Sequence, residues 1–179
     1  YFKYNLKKTL KNTDMILYNS EQTKRTTEEI FPEAKSIANV NAYIISNPVK
    51  KQWDNKDDDY FLYVGNMEKR KGVDLLIKGY LQYKSRGGKK KLILGGKMQE
   101  EEINQIVRSA MMLDEDITYL DYVTHDKKHE LYASMSAFVF PSKAEGFGMP
   151  IIEVMRFKKP IIASNLPIFD EITDGNINT

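Results

Sequence analysis

Cysteine is missing from this 179-residue chain. Its absence removes disulfides, thiolate metal sites and cysteine nucleophiles together, and it fits a reducing compartment. Long apolar runs are missing as well: none exceeds about six residues, against the roughly 20 that span a bilayer. No secretory leader is visible, although a chain that opens at Tyr1 rather than Met is expected to have lost its native start. No charge sign dominates. A net charge of +2 lacks the marked Lys/Arg excess that tracking nucleic-acid phosphates requires, so no nucleic-acid partner is expected. The basic runs Lys69-Arg70-Lys71 and Lys89-Lys90-Lys91 are short and sit beside strand-like segments; the second reads as a solvated turn. Histidine is scarce. His125 and His129 have neither Cys nor carboxylate companions, which makes a poor metal site; surface roles and no metal are expected. No Ser/His/Asp nucleophile set is legible. The stretch Gly146-Phe147-Gly148-Met149-Pro150-Ile151 lacks the third glycine of a dinucleotide fingerprint, which disfavours an NAD-dependent enzyme.

What remains is an ordinary globular composition, 41% apolar and 29% charged, in one domain or one domain plus part of another. From Asp59 onward, short apolar runs alternate with helical periodicity. Strands are predicted at Tyr60 to Val64, Leu92 to Leu94, Ile117 to Leu120, Ala137 to Phe140 and Ile161 to Ala163. Between them, Val73, Leu76, Ile77, Tyr80 and Leu81 lie on one helix face, as do Ile103, Ile106, Val107 and Ala110. A shorter helix carries Glu130 to Ala133, and another runs from Pro150 to Phe157. The strands are continuously apolar, as expected when helices cover both faces of a parallel sheet. The order argues an α/β fold with a doubly wound parallel sheet, Rossmann-like.

Residues 1–49 read as a separate piece. They hold a polar helix from Lys3 to Asn12, a strand at Met15 to Tyr18, a helix from Glu21 to about Ile30 capped by Ser20, and a strand at Tyr43 to Ile45. Residues 50–59 (KKQWDNKDDD) are nearly all charged and read as a linker, with Trp53 as an interdomain packing residue. The domain assignment is therefore 1–49, linker 50–59, and 60–179.

In an open parallel sheet, ligands bind beyond the carboxyl ends of the strands. The segment after the fourth of these strands is the most informative: Glu145-Gly146-Phe147-Gly148-Met149-Pro150-Ile151-Ile152-Glu153. Its glycines let backbone approach a ligand closely. Pro150 suits a first helical turn. The N–H groups from Gly148 to Ile151 are expected to be free to face a diphosphate. Glu145 and Glu153 flank this start and can accept from sugar and ribose hydroxyls. The plainer alternatives are that Glu153 complements the helix dipole, that Glu145 is a solvated loop residue, and that Lys71 is an exposed loop lysine.

This segment, with Pro141-Ser142 before it, resembles the Glu-x7-Glu signature of glycosyltransferase family 4, the group-1 glycosyltransferases. Phe61-Leu62-Tyr63-Val64-Gly65 with Lys71-Gly72 resembles that family's first C-domain strand and K-G loop. Gly95-Gly96 resembles its glycine turn, and Asp170-Glu171 with Asp174-Gly175 its closing D-G element. The resemblance covers roughly residues 40–179. It implies a retaining transfer of a hexosyl-type sugar from a nucleotide-diphosphate sugar, in cell-surface polysaccharide or glycoconjugate synthesis. It implies Glu145 and Lys71 as catalytic residues, Lys71 neutralising the departing diphosphate, with no metal and no cofactor beyond the donor substrate. Donor sugar and diphosphate would meet Gly146, Phe147, Gly148 and Met149. The nucleotide would meet Glu153 at the ribose and Tyr122, Val123 and Gly96 nearby. The acceptor, a sugar or lipid-linked molecule, would bind an N-terminal domain of which residues 1–49 are the last piece, and the C-terminal domain would continue past Thr179. The chain is thus expected to be cut from a longer enzyme, cytoplasmic or at the inner membrane face, and inactive alone.

The sequence departs from the family pattern at three places. Asn66 stands where members often carry an Arg on the diphosphate, and Arg70 is the candidate to replace it. Asp121 replaces a frequent Gly. Val154 and Arg156-Phe157-Lys158-Lys159 replace the small residues after the second Glu. Two rival functions share the site: a nucleotide-sugar epimerase of related fold, and a non-catalytic nucleotide-sugar-binding subunit.

Overall fold

Residues 2–41 and 56–175 are described by the structure, a computed structural model. The strand expected at Tyr43 to Ile45, Trp53 and the first part of the linker lie outside these residues. The N-terminal piece runs α1 (Phe2–Leu10), β1 (Met15–Tyr18), α2 (Glu21–Ile30), a 3₁₀ segment (Pro32–Ser36) and β2 (Ala38–Asn41). β1 and β2 pair in parallel, and Leu10, Phe31 and Ala34 form a small core of their own. β2 was not expected. Its sequence, ANVN, holds little apolar signal, and its pairing with β1 defines it.

The larger unit follows the predicted alternation closely: β3 (Tyr60–Val64), α3 (Val73–Ser85), β4 (Lys91–Gly95), α4 (Glu101–Leu113), β5 (Ile117–Leu120), α5 (His125–Ser134), β6 (Ala137–Phe140), α6 (Met149–Met155), β7 (Ile161–Ala163) and α7 (Pro167–Thr173). The five strands are parallel in the order β5-β4-β3-β6-β7. The sheet therefore grows one way from β3 and then the other. Right-handed crossovers send α3 and α4 to one face and α5 and α6 to the opposite one, which makes the sheet doubly wound. Leu62, Leu92, Leu94, Phe138 and Phe140 are fully buried between these layers.

Residues 56–59 are not a free linker. Lys56 and Asp58 donate their N–H groups to the carbonyls of Ala133 and Ser134, and Asp57 accepts from the Ser136 hydroxyl. The lysine run after α3 is also more than a solvated turn: Lys90 donates to Asp59 at 2.7 Å and to Ser136 at 2.8 Å. These contacts join residues far apart in the sequence, which periodicity does not reveal. Among the described residues no helix is long and apolar enough to cross a membrane.

Candidate donor site at the sheet's switch point

The strand order reverses between β3 and β6, the place where a doubly wound sheet forms its ligand crevice beyond the carboxyl ends of the strands. Two exits face each other across it. One leaves β3 through Gly65 and Asn66 into a 3₁₀ turn at Lys69–Lys71; the other leaves β6 at Pro141 and Ser142. Gly72, at φ 71°, joins them, because a Cβ there would lie 2.0 Å from the Pro141 carbonyl oxygen. Gly72→Ala is expected to destabilise the chain by about 2–4 kcal/mol, through a positive φ and a backbone clash together. Urea denaturation checks this; an unchanged midpoint would show that the turn shifts without cost.

Two straps hold the exits together. The Arg70 guanidinium donates to the Ala144 carbonyl at 2.8 Å and to Glu68 at 3.2 Å. Lys143 donates its N–H to the Arg70 carbonyl and its ammonium to Asp74 at 3.0 Å. Arg70 thus buttresses the Glu145 loop with two of its five N–H donors. Asn66 is exposed at the mouth, where its carbonyl accepts from Tyr63.

Lys71 and Glu145 meet in the centre. The Lys71 ammonium donates to Glu145 Oε1 at 2.6 Å, the Ser142 hydroxyl donates to the same oxygen at 2.7 Å, and the ammonium lies 5.7 Å from the centre of the Phe140 ring. Their side chains are 15% and 9% exposed, so Lys71 is no open loop lysine and Glu145 no solvated loop carboxylate. Burial, reinforced by the Glu145 and Glu68 carboxylates, pushes the Tyr63 phenol well up. The fully buried Ser142 was visible in the motif, but its contact with Glu145 was not.

The turn before α6 differs in detail from expectation. Gly148 adopts φ 90° as the N-cap and its carbonyl accepts the Ile151 N–H at 2.9 Å. Since Pro150 has no N–H, Gly148 and Met149 are the residues there whose N–H groups suit an anion. Phe147 buries its ring in the core and offers only backbone to the crevice. The Gly146 carbonyl accepts from Ser20 and Thr23, each at 3.1 Å. The carboxylate of Glu171, on α7, accepts from the N–H groups of Glu21 and Gln22 at 2.8 and 3.1 Å and so caps α2. The N-terminal piece thus touches the site loop directly. A cavity of about 510 Å³ lies beside this contact, bordered by Gln22, Thr23 and Thr26 and by Lys143 and Glu145.

Glu153 sits one turn inside α6. Lys128 Nζ donates to its Oε1 at 2.8 Å, and the Tyr132 hydroxyl donates to Oε2 at 3.1 Å. Neither partner was anticipated; the signal was their four-residue spacing, which puts both on one face of α5. Burial, with Glu153 beside it, holds the Tyr132 phenol protonated. His129 leans on Phe157 at 5.8 Å; burial first, then Lys128 and His125, lowers its pKa. It is therefore partly a packing residue rather than a surface one. The described residues contain no metal-ligand cluster of three or more His, Asp or Glu. At the far side, Tyr122 is exposed with the Lys97 ammonium 5.7 Å from its ring centre. Val123 packs against Gly95, and Gly96 donates its N–H to the carbonyls of Leu120 and Asp121.

The sequence model of the family described as "Glycosyl transferases group 1" matches residues 46–178. O-antigen chain mannosyltransferase B of Escherichia coli is 32% identical over 127 residues, covering 70% of this chain and 33% of that protein. O-antigen chain mannosyltransferase RfbU of Salmonella typhimurium is 27% identical over 179 residues, covering 98% and 49%. The chain therefore spans between a third and a half of these relatives. In fold it is similar to Anabaena HepE, solved with UDP and glucose (TM-score 0.73, 17% identity, 96% of this chain and 51% of that one). It is also similar to the pneumococcal O-GlcNAc transferase GtfA, solved with UDP and GlcNAc (TM-score 0.71, 15% identity, 93% and 33%).

Proposed function

The chain belongs to the group 1 glycosyl transferases, and on that premise we propose that residues 60–179 are the donor-binding unit of a retaining enzyme of glycosyltransferase family 4. In this reading residues 1–49 are the edge of an acceptor-side domain. The enzyme moves a sugar from a nucleoside diphosphate to a hydroxyl acceptor in surface-polysaccharide synthesis. The O-antigen mannosyltransferases among its relatives and the UDP complexes of its structural neighbours support that substrate class.

The observation that carries the reading is the Lys71–Glu145 pair at the switch point. As the anomeric C–O bond breaks, its electron pair goes to the diphosphate and the ring becomes cationic. Lys71 and the N–H groups of Gly148 and Met149 meet the first charge; Glu145 meets the second. The departing diphosphate accepts the proton of the incoming acceptor hydroxyl, which bonds on the same face, so configuration is retained. Glu153, Tyr122, Val123 and Gly96 surround the nucleoside, and no metal takes part.

Titration calorimetry with UDP, GDP and ADP, with and without Mg²⁺, tests this. One of them is expected to bind without metal at millimolar to tens of micromolar Kd, on the order of −4 to −7 kcal/mol. Silence toward all three, or heat only with Mg²⁺, would overturn it. Transfer of label to an acceptor by the two-domain enzyme separates a transferase from an epimerase or a passive binder.

A further inference from the structure

Glu153 is held more firmly than a ribose contact on a helix surface requires. Lys128 lies 2.8 Å from both of its oxygens, and Tyr132 adds a third contact on Oε2. These partners are themselves fixed. Tyr132 is fully buried, edge-on to Phe138 at 5.7 Å and tilted against Phe157 at 5.6 Å. The Lys128 and Glu153 side chains are only 16% and 18% exposed. Taking two such charges out of water is costly unless they pair well and satisfy each other's hydrogen bonds. α5 begins at Thr124, whose side chain caps it. It follows directly on the loop that carries Tyr122 and Val123, which the proposed function places around the nucleoside. One helix thus connects the Tyr122–Val123 loop with the partners of the Glu153 carboxylate.

We propose that Lys128 and Tyr132 are positioning residues for Glu153, fixing its carboxylate plane so that its remaining lone pair, on Oε1, points at the ribose hydroxyls of the bound nucleotide. The inference rests on the reading of Glu153 as the ribose contact. A free glutamate would lose side-chain rotamer freedom on binding each nucleotide. Held by an ammonium that bridges both oxygens and a phenol on Oε2, it has lost that freedom beforehand. An ionised carboxylate has about four acceptor positions; Lys128 and Tyr132 occupy three, so one, on Oε1, stays available. Glu145 shows the same construction with Lys71 and Ser142. There both donors share Oε1, which leaves Oε2 to the sugar.

The test is a comparison of calorimetric affinities on the 179-residue chain. The tightest binder among UDP, GDP and ADP is measured against its 2′,3′-dideoxy form. The unaltered chain is expected to prefer the ribonucleotide by about tenfold. Lys128→Met and Tyr132→Phe are each expected to weaken the ribonucleotide about fivefold to tenfold and leave the dideoxy form unchanged, so discrimination collapses. Lys128→Arg should restore most of it. Equal weakening of both forms would place Lys128 on the diphosphate instead, and no change in either would make the pair a packing feature only; both outcomes overturn the proposal. Failure of the unaltered chain to bind any of the three nucleotides would instead refute the donor-site reading itself, and the positioning role with it. Should Tyr132→Phe fail to fold, the Lys128 variants decide alone.

Discussion

In the two-domain enzyme, Glu145→Gln is expected to lower kcat by about 10²-fold, close to 2.7 kcal/mol of transition-state stabilisation, while KM for the donor stays level or falls. The geometry sets both halves of this expectation. Glu145 Oε1 already takes the Lys71 ammonium and the Ser142 hydroxyl. A glutamine can keep the serine bond and its place in the loop, so the turn that Gly146 to Met149 build should survive. What would be lost, in the proposed mechanism, is a negative charge that gains strength only when the sugar ring becomes cationic. A loss confined to the transition state appears in kcat. Lys71, released from its partner, becomes more available to the diphosphate, which is why donor affinity should not suffer. Glu153→Gln is expected to behave oppositely. The ribose contact proposed for it would be the same before and during reaction, so losing a charged hydrogen bond there, about 1.5–3 kcal/mol, should raise KM and spare kcat. Steady-state kinetics of both variants decide: equal kcat losses, or full activity without the Glu145 charge, would show the roles to be wrong.

The sheet of the larger unit was legible because each strand is a short, unbroken apolar run and each long helix repeats its apolar residues at three and four. α7 was not. Seven residues with Ile168, Phe169 and Ile172 as the apolar set carry too few repeats to show a period, and the helix is held by packing on α6 and α2. Glu145 and Glu153 could be picked out because strand exits in an open sheet are where ligands bind, and Lys71 because its K-G loop resembles the family's. Their partners depend on tertiary approach. Lys128 reaches Glu153 across 25 positions, and Ser20 reaches the Gly146 carbonyl across 126; local pattern does not encode such distances. Arg70 shows the same limit: the resemblance made it the candidate to replace the arginine absent at Asn66, but its bond to the loop carbonyl of Ala144, 74 positions away, has no local signal.

Phe140 joins the core to the site, and two substitutions there should separate the contributions. Its ring is fully buried. It lies near-parallel to Phe138 at 5.6 Å and to Tyr63 at 6.2 Å, tilts against Phe169 at 5.9 Å, and has Lys71 Nζ 5.7 Å from its centre. Phe140→Ala opens a cavity where β6, β3 and α7 meet and is expected to cost about 3–5 kcal/mol of unfolding free energy. That is a large share of the stability of any single domain, and denaturation in urea should show it as a lower midpoint with little change in slope. Phe140→Leu fills most of the space and is expected to cost less than about 2 kcal/mol, but it removes the aromatic face beneath the ammonium. An ammonium over a ring gains about 0.5–2 kcal/mol, the more so when partly desolvated. Without it Lys71 keeps only Glu145 as a fixed partner, and nucleotide affinity should fall severalfold in a chain that is still folded. If Phe140→Leu binds nucleotide as tightly as the unaltered chain, the ring serves packing alone and Glu145 by itself places the lysine.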